Sequence, residues 1–239
     1  MSEKLKIDFL STEGGWIDFV IKIYNVHFYY SFSEVHSTQP EELILWLEKI
    51  YKQNYCELKF DVEDYYFYFD YDGKKFYLYD ENNLLGEADD PVNHKYLHAV
   101  VEISRIELCK IFYKAFRDFV TSKKYRKIYW QTVSFEETLI DCYGSLDSAL
   151  DCASSKTLSE FYDDYIQKTG YEKFLTYFEL FDKFESADSS CYPIVVSYDF
   201  LTPEEKKDMI KKYCSDEVGG EGGKLSEVKS EILEQLLEE

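Results

Sequence analysis

The sequence lacks any apolar run of the length that a membrane requires. A spanning helix needs ~20 consecutive apolar residues, and the N-terminal MSEKLKIDFL has neither the apolar core nor the cleavage site of a signal peptide. The six cysteines show no C-x-x-C pair and no spacing typical of a disulfide scaffold. We therefore expect a cytoplasmic protein with reduced thiols and no membrane partner.

Positive charge is also scarce, with 27 Lys and Arg against 47 Asp and Glu and a net charge of −20. Phosphate contacts require Lys and Arg, so this composition disfavours direct binding of nucleic acid and favours a basic partner. Residues 61–102 carry eleven acids against three bases, and residues 131–202 carry fourteen against four. Residues 103–130 reverse the balance, with eight bases against two acids, and we interpret them as a basic helix face that neutralises acidic parts of the same molecule.

Histidine is rare, and the common catalytic motifs do not occur: G-x-S-x-G, Walker A, G-x-G-x-x-G and H-E-x-x-H are all missing. His94, His98 and Glu102 have the spacing of metal ligands on a helix, but their surroundings predict a strand, on which residues four apart cannot chelate one ion. Asp70-Tyr71-Asp72-Gly73 is not a calcium loop, because Tyr68 stands where another oxygen ligand is needed. We expect no catalytic residues, no metal and no cofactor, although a hydrolase using a carboxylate pair stays open.

What the sequence has in excess is aromatic residues, and the stretch DYYFYFDYDGKKFYLYD (64–80) contains nine of them in seventeen positions. Asp72-Gly73 is a turn signal of the type I′ kind, which predicts a hairpin with Tyr68 opposite Tyr77 and an ion pair between Asp70 and Lys75. Cross-strand partners share a face. One predicted face carries Phe67, Phe69, Phe76 and Leu78. The other carries Tyr66, Tyr68, Tyr77 and Tyr79.

The phenylalanine face is predicted to be the core, because phenylalanine has no polar group, whereas a tyrosine hydroxyl needs water or a partner. Tyrosine is enriched where proteins bind proteins. We predict that a basic partner binds a surface made of Tyr66, Tyr68, Asp70, Tyr77, Tyr79, Asp64, Asp80 and Glu81. The alternative is that a helix of the same chain covers this face.

We predict an α+β fold, with an antiparallel sheet of about six strands packed by helices and then a mostly helical C-terminal part. The strands are predicted at about 16–24, 26–35, 55–62, 65–71, 74–80 and 96–102. Helices are predicted at about 40–52, 104–122 and 171–185, and after the capping residues Ser134, Thr157 and Thr202. The segment 192–200 is predicted to be one strand that returns to the first sheet.

Three segments follow from this pattern. They are an α+β domain at 1–130, a helical extension packed on it at 131–218, and a flexible Gly-rich linker with an amphipathic helix at 219–239. The apolar stripe of that last helix predicts either docking on the domain or self-association through 225–237, because a helix this short is marginal alone.

The first 130 residues resemble small bacterial α+β proteins, some of which are immunity proteins that neutralise polymorphic toxins. The resemblance is carried by GGWIDFVIKI (14–23), PEELILWLEKI (40–50), the acidic aromatic hairpin and SRIELCKIFYKAFRDFVTSKKY (104–125). It implies a non-catalytic cytoplasmic inhibitor that binds a toxin domain through an acidic surface. Residues 131–239 are not covered, and no site residue is carried over.

The function we predict is therefore that of a non-catalytic acidic binding protein of the immunity or inhibitor type, which neutralises a basic partner, either a toxin or a nucleic-acid-binding enzyme. One version of this function is nucleic-acid mimicry, in which spaced carboxylates occupy the partner's phosphate-binding site. The alternatives from other classes are the carboxylate-pair hydrolase and an oligomeric scaffold assembled through the C-terminal helix.

Overall fold

The computed structural model describes residues 4–13, 15–33, 38–62, 66–81, 95–169, 184–186, 194–220 and 222–239. The chain divides into two compact units. The first consists of 1–131 together with 220–239, and the second of 132–219. Of the residues predicted as a separate linker and helix, 220–239 belong to the first unit and Gly219 to the second.

The first unit begins with a three-stranded antiparallel sheet formed by β1 (Leu5–Glu13), β2 (Trp16–Ile23) and β3 (Val26–Ser33), in that order. Burial alternates along β2, which therefore turns one apolar face to the core. Gly15 has a φ of 89° in the turn between β1 and β2, a left-handed conformation that glycine adopts without strain.

The second sheet of this unit has four antiparallel strands in the order β4 (Leu58–Asp61), β5 (Tyr66–Tyr71), β6 (Lys75–Glu81) and β7 (Lys95–Glu102). The predicted α+β class is confirmed. The single sheet of about six strands is wrong, because the described strands of the first unit form two sheets of three and four strands. The helix α1 (Gln39–Tyr51) separates the two strand groups along the chain, and β1 is a strand that the sequence analysis missed.

Two further helices complete the first unit, α2 (Arg105–Val120) and α7 (Glu231–Glu238). Ser104 caps α2 as predicted, since its hydroxyl accepts a hydrogen bond from the backbone N–H of Glu107 at 3.2 Å. Pro40 occupies the first turn of α1, where its missing N–H costs no helical hydrogen bond.

The phenylalanine face of the four-stranded sheet lies in the core of the first unit. The ring centroid of Phe69 is 5.1 Å from that of Phe60, 6.1 Å from that of Trp46 in α1 and 5.6 Å from that of Phe112 in α2. On the same face, the Phe67 ring is 4.5 Å from that of Tyr30 in β3. Both sheets and the helices α1 and α2 thus contribute to one buried aromatic cluster. Each fully buried phenylalanine contributes roughly 1.5–3 kcal/mol through the hydrophobic effect.

The C-terminal segment packs on this unit. Leu225, Leu233 and Leu236 are buried in its core, and the Arg117 guanidinium in α2 lies 2.9 Å from the carboxylate of Glu234 in α7. This ion pair fits the interpretation of the basic segment as neutralising acids of the same molecule.

The glycines before α7 lie against a tryptophan. The N–H of Gly222 donates to the carbonyl oxygen of Trp130 at 2.7 Å, and the indole N–H of Trp130 donates to the carbonyl oxygen of Gly223 at 3.0 Å. The sequence predicts a flexible linker here, whereas in the structure these two glycines are hydrogen-bonded to the first unit. Glycine is needed at 222 because a Cβ atom there would lie 2.4 Å from the indole nitrogen.

The second unit contains four described helices, α3 (Phe135–Tyr143), α4 (Leu146–Ser154), α5 (Leu158–Thr169) and α6 (Pro203–Tyr213). The strands β8 (Thr132–Ser134) and β11 (Glu217–Gly219) pair with each other, as do β9 (Phe184–Ser186) and β10 (Ile194–Val196). The mostly helical character of the C-terminal part is confirmed.

The local predictions for the second unit have mixed outcomes. The helix starts after Ser134, Thr157 and Thr202 are confirmed, and Thr202 with Glu205 forms a complete capping box. The helix predicted at 171–185 lies mostly outside the described residues, and its last residues belong to β9. The strand predicted at 192–200 is wrong in two respects, because it spans only Ile194–Val196 among the described residues and pairs with β9.

Candidate functional site

The tyrosine hairpin forms with the predicted faces but a different register. Tyr68 lies opposite Tyr79 rather than Tyr77, so that every pair is offset by two residues from the predicted one. The N–H of Asp72 donates to the carbonyl oxygen of Lys75 at 3.2 Å, which makes Gly73 and Lys74 the two turn residues. Because side chains alternate with a period of two, an offset of two leaves both faces intact.

The turn lies one residue further along the chain than predicted, because the Asp72 side chain binds the backbone of the turn. The carboxylate of Asp72 accepts hydrogen bonds from the backbone N–H groups of Lys74 and Lys75, at 2.8 and 2.7 Å. Gly73 then takes the first turn position with a φ of 95°, which agrees with a type II′ turn rather than the predicted type I′. The predicted ion pair between Asp70 and Lys75 is wrong, since Asp70 lies opposite Tyr77.

The outer side of the four-stranded sheet is called the tyrosine face below. Of the predicted binding residues, six lie on it: Tyr66, Tyr68, Asp70, Tyr77, Tyr79 and Glu81. Asp80 does not, because it alternates to the other side, where its carboxylate lies 2.9 Å from the His98 imidazole. Asp64 lies outside the described residues.

The tyrosines on this face are not equally accessible. Tyr68 is buried, with 3% of its surface exposed, whereas Tyr66, Tyr77 and Tyr79 are half-buried. The hydroxyl of Tyr68 donates to the carboxylate of Glu81, and burial together with this negative neighbour raises the pKa of Tyr68. Tyr68 is therefore mainly a structural member of the face.

Two lysines of the same sheet lie over tyrosine rings. The Lys59 ammonium is 3.4 Å from the centroid of the Tyr66 ring, and the Lys95 ammonium is 3.9 Å from that of the Tyr68 ring. Lys95 also forms an ion pair with Glu57 at 2.6 Å. A cation over an aromatic ring is attracted by the negative ring face, so these rings already have cationic partners.

Tyr77 and Tyr79 form the other half of the face. Their rings are nearly parallel, with centroids 6.1 Å apart and an interplanar angle of 14°. The Tyr77 hydroxyl donates to the Asp72 carboxylate at 2.7 Å, and this hydrogen bond raises the pKa of Tyr77 to about 12. Burial, and then the negative charges of Glu57 and Asp72, raise the pKa of Asp70.

The edge strand β7 adds apolar surface beside these tyrosines. Leu97 lies opposite Tyr79 and Val100 opposite Tyr77, and these two aliphatic residues are 54% and 41% exposed. They are not among the residues predicted from the sequence. Their alternating pattern is that of any strand, and only the strand order reveals that they lie at a sheet edge.

The described part of the chain contains several surface clefts. A cleft of about 340 Å³ is lined by His27, Phe28, Tyr29, Tyr30, Asp80 and His98. Among the described residues, no group of three His, Cys, Asp or Glu side chains is placed to hold a metal ion. His94, one of the three residues with metal-ligand spacing, lies outside that part of the chain.

Carboxylates with raised pKa values, which a carboxylate-pair hydrolase would need, lie on separate elements. Burial raises the pKa of Glu41 in α1 and of Asp70 in β5. Neither residue lines the cleft described above. The two carboxyl groups therefore do not meet in that cleft.

The tyrosine face is chemically mixed. It combines half-buried aromatic rings, exposed aliphatic side chains and carboxylates. In the described part of the chain, no helix combines the length and apolar character needed to cross a membrane. No family model, no curated protein and no solved structure matches this chain.

Proposed function

We propose that this protein is a non-catalytic binding protein of the immunity or inhibitor type, and that its tyrosine face binds a basic protein. The observation that carries the proposal is the group formed by Tyr77, Tyr79, Leu97 and Val100 on the outer side of the sheet. Protein interfaces are enriched in tyrosine, which supplies a large contact area while losing little conformational entropy.

The charge of the chain supports a basic partner. With a net charge of −20, the protein attracts a positively charged surface over a distance and repels other acidic proteins. Asp70, Glu81 and the turn residue Asp72 supply carboxylates at the face itself. Association should therefore slow as salt is added, because salt screens this attraction.

The scaffold alternative has less support. The stripe from Leu225 to Leu236 is buried in the first unit, with Leu233 and Leu236 at 0% and 2% exposure. Self-association through 225–237 would require this helix to leave its place. Tyr77 and Tyr79, in contrast, are partly exposed, and Leu97 and Val100 are 54% and 41% exposed, without any rearrangement of the described residues.

The test is a capture experiment with matched variants. Wild type, Tyr77→Ser/Tyr79→Ser and the control Tyr24→Ser/Tyr29→Ser are immobilised and exposed to lysate of the native host. The control tyrosines lie in the turn before β3 and in β3 itself and are 48% and 68% exposed, so the control also removes two surface tyrosines. All three proteins are first compared by thermal unfolding.

The expected result is a basic protein that wild type and the control retain and the Tyr77/Tyr79 variant loses. The captured protein is then purified and its affinity for each variant measured directly. A partner that binds all three proteins equally would reject the tyrosine face as the interface. If added DNA or RNA displaces the protein from its partner, the mimicry version is favoured.

A further inference from the structure

The two halves of the tyrosine face differ in whether a lysine ammonium lies over their rings. Lys59 lies over Tyr66 and Lys95 over Tyr68, at 3.4 and 3.9 Å from the ring centroids. For Tyr77 and Tyr79, the described residues supply no cation over either ring. The same kind of surface thus occurs twice on one sheet, once with its cations in place and once without.

Carboxylates surround the half that has no cation. Asp72 receives the hydroxyl of Tyr77 at 2.7 Å, and Asp70 lies directly opposite Tyr77 across the strand pair. Asp70 accepts a hydrogen bond from the backbone N–H of Tyr71 at 2.8 Å. Within the described part of the chain, neither carboxylate lies within ion-pair distance of a Lys or Arg. At longer range, the charge of Lys95 acts on Asp70 and that of Lys75 on Asp72, while the like charges of Glu57 and Asp72 also act on Asp70.

We propose that Asp70, Asp72, Tyr77 and Tyr79, called the acceptor patch below, receive an arginine side chain of the partner. This inference rests on the proposed function and names the group that the tyrosine face recognises. Tyr66 and Tyr68 are then supporting residues, because their rings are already matched by the protein's own lysines.

Arginine fits the acceptor patch better than lysine for three reasons. A guanidinium is planar and stacks on aromatic rings, and it donates two parallel hydrogen bonds to a carboxylate. It is also less strongly hydrated than an ammonium, so less hydration is lost when it leaves water. The exposed side chains of Leu97 and Val100 beside the patch offer apolar contact to its methylene stem.

The test uses a defined probe, the blocked peptide acetyl-Gly-Arg-Gly-Arg-Gly-amide, titrated into isotope-labelled wild-type protein. The NMR signals of the tyrosine rings are followed. Matched peptides carry citrulline, which keeps the shape of arginine without its charge, or lysine. We expect shifts at Tyr77 and Tyr79, roughly threefold or more weaker binding for the lysine peptide, and no binding for the citrulline peptide.

A variant makes the assignment specific. Asp70→Asn removes one carboxylate of the patch and should weaken the binding of the arginine peptide roughly threefold or more. The control is Asp8→Asn, because Asp8 is a carboxylate on the other sheet, paired with Lys6 at 2.5 Å. Because the titration of wild type needs no substitution, the inference stays testable even if Asp70→Asn unfolds.

The outcomes separate this inference from the proposed function. Absence of ring shifts with the arginine peptide, shifts of equal size at Tyr66 and Tyr68, or equal binding of the citrulline peptide would each overturn the acceptor patch. If a partner still requires Tyr77 and Tyr79 in capture, the proposed function survives that result. If the peptide binds as expected but the Tyr77/Tyr79 variant captures the partner as well as wild type does, the proposed function fails and the patch remains an arginine site.

Discussion

The hydroxyl oxygen of Tyr113 in α2 lies 3.1 Å from the backbone nitrogen of Ser230, a residue 117 positions further along the chain. The hydroxyl accepts this hydrogen bond and donates its own proton to the carboxylate of Glu234 at 2.8 Å. Ser230 in turn caps α7, since its side-chain oxygen accepts from the N–H of Leu233 at 3.3 Å. One buried hydroxyl thus fixes the beginning of α7 to the centre of α2.

Removal of this hydroxyl should destabilise the first unit. We expect Tyr113→Phe to lower the free energy of unfolding by about 1–3 kcal/mol, because it leaves the N–H of Ser230 buried without an acceptor. The measurement is urea unfolding of the full chain. Tyr24→Phe, at a residue 48% exposed, is the control and should leave the midpoint unchanged. Equal midpoints for both variants would show that Tyr113 does not hold α7.

The contact between Gly222 and Trp130 gives a second prediction. A Cβ atom at 222 would lie 2.4 Å from the indole nitrogen and 2.6 Å from the carbonyl oxygen of Trp130. We expect Gly222→Ala to cost about 1–3 kcal/mol and to shift the fluorescence of Trp130 to the red as water reaches the ring.

The matched control for this prediction is Gly223→Ala. There the nearest atom to a Cβ is a side-chain oxygen of Glu41 at 3.4 Å, which can move. The control should therefore lose less stability and keep the wild-type emission maximum. Identical emission spectra for the two variants would contradict the close packing.

The aromatic core gives a third prediction. Phe69 is fully buried and lies among the rings of Trp46, Phe76 and Phe112. Phe69→Ala should lower the free energy of unfolding by about 3–5 kcal/mol, because it removes buried apolar surface and leaves a cavity. Phe200→Ala should have no measurable effect, since Phe200 is 85% exposed. Chemical denaturation of both variants checks this, and similar losses would mean that the hairpin faces are assigned wrongly.

The second unit should be sensitive to acid through Asp164. Its carboxylate accepts the hydroxyl proton of Tyr143 at 2.7 Å and lies 3.1 Å from Lys168 and 3.3 Å from Lys156. Burial acts to raise the pKa of Asp164, but the hydrogen bonds from Tyr143, Lys168 and Lys156 outweigh burial and lower it to about 2. Since the folded pKa lies below the unfolded value of ~3.9, this stabilisation is present above pH ~4 and is lost as the pH falls toward ~2.

Asp164→Asn tests the acid sensitivity. It should lower the free energy of unfolding by about 1–2 kcal/mol at neutral pH and by progressively less between pH ~4 and ~2. Urea midpoints followed by circular dichroism across this range provide the measurement. Asp208→Asn, at a carboxylate whose side chain is 80% exposed, is the matched control. A constant difference between wild type and Asp164→Asn at every pH would contradict the lowered pKa.

The hairpin illustrates which features a sequence can predict. The division into a phenylalanine face and a tyrosine face depends only on alternation, so it survived an error in register. The register itself depends on whether Asp72 is one of the two turn residues, as predicted, or the last strand residue before them, as in the structure. That choice is made by the hydrogen bonds between its side chain and the N–H groups of Lys74 and Lys75, which the dipeptide Asp-Gly does not specify.

Most of the remaining errors come from long-range contacts, but the one at Asp80 does not. The position of Asp80 on the opposite side of the sheet follows from the same alternation, and grouping it with the tyrosines by nearness in sequence ignored this. Leu97 and Val100 become candidates only when the strand order places β7 at an edge. Likewise, the run of glycines predicts a linker when it is taken alone. Its packing depends on a contact with Trp130, some ninety residues earlier in the chain.

The second unit begins and ends on paired strands, with Thr132 opposite Gly219 in the ladder of β8 and β11. It is therefore an insertion between two parts of the first unit, whose core includes Leu225, Leu233 and Leu236. On the ribosome, the first unit cannot complete its core when residue 131 emerges. It must wait until the whole insertion and residues 225–236 have been synthesised, so its apolar surface is open to chaperones throughout that interval.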